Sequence, residues 1–182
     1  MQTDELYFLL KPFCELGEVR GRITAQKIFY LMQSHGYPTQ LDYFLHYYGP
    51  YSEDLSSFLS YAATSNPPLL TEKALHVGTD AMRFDYAATQ QASRLVSAFE
   101  EKALSLEVSA MASRFCTLAS FLNSKSSTDL ELAATVLFFE IERGCDREAA
   151  IGKTRQMKPA KAEEAHIRAA EEILQVVTQQ PQ

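Results

Sequence analysis

Apolar residues return again and again at the spacing of one helical face, and that recurrence limits the chain to helices packed on helices. Leu6, Leu9, Leu10 and Phe13 stand at i, i+3, i+4 and i+7. So do Ala25, Ile28, Phe29 and Met32, and then Leu55, Phe58, Leu59 and Ala62. Gly36 and Pro38 stop the second of these helices, while Ser52 is placed to cap the third and Thr3 or Asp4 the first. Pro12 interrupts the first pattern, and its missing N–H predicts a kink or an end around the preceding turn.

Two stretches break the helical period. From Leu41 to Tyr48 the residues Leu41, Tyr43, Leu45 and Tyr47 alternate with Asp42, Phe44, His46 and Tyr48, which predicts an extended segment. Leu69 to Val77, a Gly78-Thr79-Asp80 turn and the alternating Met82, Phe84 and Tyr86 predict a β-hairpin. Helix, helix, helix, hairpin is the element order of a winged helix-turn-helix with an insertion before its third helix. Residues 1–88 are therefore expected to form a winged-helix-like domain.

Residues 89–182 are expected to form a helical bundle packed against it. Ala92, Leu95, Val96 and Phe99 mark one helix, and Val108 to Leu122 another, whose face would suit a homodimer as readily as an internal core. Thr128-Asp129-Leu130-Glu131 reads as a capping box, with Gly144 closing the helix it opens. Asp146 caps a short helix before Pro159, and Ile167, Ala170, Ile173, Leu174 and Val177 line a last one.

Composition narrows function more than fold. Cys14, Cys116 and Cys145 are widely spaced, without a C-x-x-C pair, and suit a reducing cytoplasm. The acidic opening Met1 to Glu5 is unlike a signal peptide, and no apolar run approaches a membrane span. With 46% apolar residues, the 182-residue chain can bury a sizeable core. The net charge of −6 argues against a protein that works mainly by coating phosphate backbones.

No enzyme constellation, metal set or cofactor loop emerges. His46, Ser52 and Asp42 cluster in sequence, but the G-x-S-x-G elbow of a nucleophilic serine is absent. Ser52 is explained as a helix cap and His46 as a half-buried strand residue bonding the backbone; a hydrolase using His46 is the weakest reading. His35, His46, His76 and His166 are scattered, and Glu163, Glu164, Glu171 and Glu172 read as a solvated helix face with Lys161 and Arg168.

Two partner-binding features remain. Tyr43, Phe44, Tyr47, Tyr48, Tyr51, Phe58 and Tyr61 are the densest aromatic group; periodicity turns most of them inward and leaves a minority, Tyr47, Tyr48 and Tyr51 foremost, as a protein-binding patch. Lys153, Arg155, Lys158 and Lys161 form a basic segment within an acidic chain, a solvated surface or a contact for an acidic partner. For a nucleic acid, Arg20, Arg22 and Lys27 would meet phosphates, but residues 52–63 hold Glu53 and Asp54 and no basic residue, so the expected recognition helix supplies little of the attraction that drives duplex binding, which the charge disfavours.

The residues Gly21 to Leu31 (GRITAQKIFYL), followed by Phe44 to Ser52 (FLHYYGPYS) and Leu55, resemble the uncharacterised bacterial YwgA-like proteins and, more distantly, the Panacea domain of SocA-like antitoxins. Leu130 to Thr135 and Lys158-Pro159 resemble later segments of YwgA-like chains, so the likeness covers most of the sequence. In it, Gly49-Pro50 is expected to make a fixed turn before the Ser52 cap. The resemblance to Panacea domains implies neutralising a toxin, or acting as an adaptor, through protein contacts. The expectation is a non-enzymatic regulatory or adaptor protein; the alternative is a winged-helix DNA-binding regulator acting as a dimer.

Overall fold

The computed structural model describes residues 3–78, 81–102 and 106–179, and these form eight helices and five strands, mostly helix with a small antiparallel sheet. The first helix, α1, runs from Thr3 to Leu16 straight through Pro12. The helix does not end at the proline. Proline at 12 deprives the Phe8 carbonyl of its helical partner, and the Tyr37 hydroxyl, buried, donates to that carbonyl at 2.8 Å in its place. The lost bond is replaced from outside the helix. The side chains of Thr3 and Asp4, the expected caps, lie outside the described residues, as do Thr79-Asp80 of the predicted turn.

A two-residue strand, β1 (Glu18–Val19), leads to α2 (Arg22–Gln33), where every residue from Thr24 to Met32 is buried, including Gln26 and Lys27. After an irregular stretch come β2 (Phe44–His46) and β3 (Gly49–Tyr51), paired antiparallel around a two-residue turn at Tyr47 and Tyr48. The extended segment expected over 41–48 is thus the first strand and turn of a hairpin, and Gly49-Pro50 lies in its second strand rather than in the turn. Helix α3 (Glu53–Thr64) follows, and the Ser52 hydroxyl accepts from the Leu55 N–H as expected.

The long hairpin is β4 (Leu70–Val77) and β5 (Ala81–Ala88), in register from Leu70↔Ala88 to Val77↔Ala81. With β1 it makes a sheet ordered β1-β5-β4. Arg22 ties the start of α2 to this sheet by donating to the Tyr86 hydroxyl at 2.9 Å and to Glu72 at 3.2 Å.

The remaining helices are α4 (Gln90–Lys102), α5 (Leu106–Asn123), α6 (Ser127–Arg143), α7 (Arg147–Met157) and α8 (Glu164–Thr178). Helix α1 packs on α4 and α5, α2 on α5 and α6, and α6 on α7 and α8, so one buried apolar cluster draws on both halves of the chain. Ala112, Phe115, Leu118, Ala119 and Leu122 of α5 belong to it, which covers that helix face within the chain. Gly144 ends α6 at φ 59, and Asp146 caps α7 through the Ala149 N–H. At the start of α6 the cap is Ser126, accepting from the Asp129 N–H, and not Thr128. Glu131, the expected last member of that capping box, turns into the core. No helix among the described residues is long and apolar enough to cross a membrane.

Candidate functional site

A three-residue strand pair has too few ladder bonds to hold itself together in water. The β2–β3 hairpin is held from below by side chains of α2, α6 and the segment after α7. The Lys27 ammonium, 0% exposed, donates to the Pro50 carbonyl at 2.6 Å. Lys158, 6% exposed, donates to the Tyr47 carbonyl at 2.6 Å and to Glu131 Oε1 at 2.7 Å, while Lys161 reaches Glu131 Oε2 at 2.8 Å. Next along the chain, the Gln26 amide donates to the Ser52 carbonyl and accepts from the Ser52 N–H, both at 2.8 Å, as a strand partner would.

Gly49 lets this arrangement close. Its φ of 82 lies in the left-handed region, and a Cβ there would fall 2.6 Å from the Thr135 hydroxyl on α6. Burial pulls the Lys27 pKa down to about 7, against the attraction of Glu131 and with further repulsion from Lys158 and Lys161.

The outer side of the hairpin is aromatic. Tyr47 is 72% exposed, Phe44 44% and Tyr48 40%. Tyr47 packs edge-on against Tyr48 with centroids 5.1 Å apart, His46 lies 5.7 Å from Tyr48 and 5.4 Å from Tyr51, and Tyr51 is 5.9 Å from Phe44. The result is a continuous ring surface on a fixed backbone. Periodicity had turned most of the aromatic group inward; in fact Phe58 is buried, Tyr43 and Tyr51 are partly so, and Phe44, Tyr47, Tyr48 and Tyr61 stay exposed. The early turn at Tyr47-Tyr48 is the cause, since it ends the alternation that would have buried Tyr47.

The structure brings together residues that the sequence separates by more than a hundred positions. Lys158 lies 5.9 Å from the Tyr47 ring centroid and Lys161 5.5 Å from that of Tyr48. Lys158 is therefore not a solvated residue: its charge is taken by Glu131 and its reach by Tyr47. Lys153 lies over Phe139, and Arg155 pairs with Glu164, so their partners are on α6 and α8 rather than on the hairpin.

Of the residues expected to meet phosphates, Arg20 is exposed beside Glu18, Arg22 is occupied by Tyr86 and Glu72, and Lys27 is sealed inside. Ser52 is buried as a cap, while His46 is exposed rather than half-buried, its Nδ1 accepting from the Tyr48 N–H at 3.4 Å. Among the described residues no three His, Cys, Asp or Glu side chains stand together as a metal site would need. Cys116 is buried, which pushes its thiol up to about 12.

Sequence reasoning missed Glu131 and the role of Lys27. The signal was present: Glu131 is the one charge in the run from Leu130 to Phe139, and a carboxylate on an otherwise apolar helix needs a buried cation.

No family model matches the chain. Over 132 residues, 72% of this chain and 72% of the relative, it is 33% identical to the uncharacterised protein YwgA of Bacillus subtilis.

Proposed function

The chain belongs to the YwgA family, and on that premise we propose that it is a non-enzymatic regulatory or adaptor protein of the cytoplasm, antitoxin-like, that captures a protein partner on the outer face of the β2–β3 hairpin. One observation carries the reading. Tyr47, Tyr48 and Phe44 are large, exposed and adjacent, on a backbone whose carbonyls are fixed by two buried lysines. Exposed aromatics held rigid in advance lose little conformational freedom on binding, which is the property of interface anchors. A toxin is the class of partner that the resemblance of residues 21–31 and 44–52 to Panacea domains would imply.

The winged-helix arrangement belongs to the same reading. The order α1, β1, α2, α3, β4, β5 and the sheet order β1-β5-β4 support it, with the aromatic hairpin as the insertion before α3. The same topology favours the nucleic-acid alternative, but the chemistry weighs against it: Lys27 is buried, Arg22 is engaged and α3 opens with Glu53 and Asp54.

Affinity capture of the tagged protein from its own cells, at low and raised salt, tests the reading. A stoichiometric protein retained at raised salt, and lost with Tyr47→Ser/Tyr48→Ser, is the expected result. Nucleic acid that leaves as salt rises, with no protein partner, would favour the regulator.

A further inference from the structure

Behind the hairpin tip, Tyr47, Glu131, Met157, Pro159 and the lysines Lys158 and Lys161 line a cavity of about 120 Å³. Its charge does not balance. Lys158 and Lys161 share the single carboxylate of Glu131, with Lys27 as a third amine in the same cluster. Nor are its donors used up. An ammonium carries three N–H groups; Lys158 gives one to Tyr47 and one to Glu131, and Lys161 gives one to Glu131, so hydrogens on both remain open among the described residues. Lys161, at the mouth of the cavity with its side chain 37% exposed, has only a share of that carboxylate, and a second anion would pair with it.

Charge and lining narrow the anion. Lys158 and Lys161 carry two positive charges against the one carboxylate of Glu131, which leaves a single charge for one further carboxylate to match. A dianionic phosphate would exceed that charge and face Glu131. Tyr47, Met157 and Pro159 offer apolar contact to a carbon chain.

We propose that this cavity is a carboxylate-binding site, in which the ligand accepts from the open donors of Lys158 and Lys161 while its carbon chain lies against Tyr47 and Met157. The carboxylate comes from a free small acid or from an acidic side chain of the partner. The second source rests on the reading of the hairpin as a partner surface; the site itself does not.

The test is a titration of the isotope-labelled full chain with acetate, with a capped peptide carrying one aspartate, and with inorganic phosphate, followed by the amide resonances of residues 47–49, 157, 158, 160 and 161. Acetate is expected to shift these signals, and Lys161→Gln to weaken it about tenfold or more, the loss of one hydrogen bond to a charged group, while Lys161→Arg keeps binding. The Lys161 side chain is 37% exposed, so its replacement leaves the Lys158–Glu131 pair in place. A peptide at least about tenfold tighter than acetate, weakened by Tyr47→Ser, identifies a partner side chain as the source; equal affinities identify a free acid. Absence of shifts with both carboxylates, binding indifferent to Lys161→Gln, or tighter binding of phosphate would overturn the site. Neither titration involves the partner, so absence of shifts with both carboxylates beside successful partner capture breaks the cavity proposal alone.

Discussion

The molecule carries two hairpins that are built on opposite principles. The long one, β4–β5, pairs eight residues with eight, and its outer half, where β4 faces solvent, is held mainly by its own ladder. The short one, β2–β3, pairs three with three, and its geometry is imposed by Lys27, Gln26, Lys158 and Gly49 against α2 and α6. A strand ladder of this length could not hold Tyr47 and Tyr48 still; buried side chains can. The exposed Val77 and Met82 on the solvent-facing end of the long ladder differ in kind from exposed rings on a pinned backbone, and the pinned ones are suited to binding.

The sharpest way to break that contrast is to remove the carboxylate beneath the short hairpin. Glu131→Ala leaves Lys158 buried without its counter-ion, and is expected to cost about 3–5 kcal/mol in urea unfolding. Glu72→Ala on the long hairpin, whose partners Arg22 and the Tyr86 hydroxyl also bond each other, should cost about 1–2 kcal/mol. Comparable losses would mean that the two hairpins are held alike.

A smaller effect separates two glycines of positive φ, one in each hairpin. Gly49→Ala adds a Cβ against Thr135 and a residue at φ 82, and should cost about 2–4 kcal/mol. Gly78→Ala at φ 73 meets nothing within 4 Å and should cost about 1–2 kcal/mol, the backbone conformation alone.

Titration gives a third comparison. Lys27 is held near 7 in the folded protein, against an ordinary 10.5. Above pH 7 the unfolded chain keeps a proton that the folded chain has released, so stability should rise with pH by up to about 1.4 kcal/mol per unit, and stay flat below. Measured between about pH 7 and 8.5, this rise should vanish in Lys27→Met. The smallest expected effect is at Tyr43, whose buried hydroxyl has no hydrogen-bond partner among the described residues: Tyr43→Phe should stabilise by about 1 kcal/mol.

The same contrast explains what could be read from the sequence. The long hairpin, the Ser52, Asp146 and Gly144 caps, and the faces of α2, α3 and α8 were legible because each depends on residues near one another in the chain. The continuity of α1 was not, because the group that replaces the bond lost at Pro12 is the hydroxyl of Tyr37, 29 residues beyond the Phe8 carbonyl it serves. The site was half legible. Tyr47 and Lys158 were singled out separately, but their junction spans 111 positions. Lys27 was assigned to phosphate because nothing local to α2 reveals that Glu131 and Pro50 enclose it.

The claim that the pinned hairpin is the partner surface is tested most directly by capturing the partner with two variants side by side. One carries Tyr47→Ser/Tyr48→Ser, and the other carries Val77→Ser/Met82→Ser at the exposed apolar residues of the long hairpin. Loss of the partner from the first and retention by the second is the predicted result. Retention by the first and loss from the second would contradict it, and place binding on the long hairpin instead.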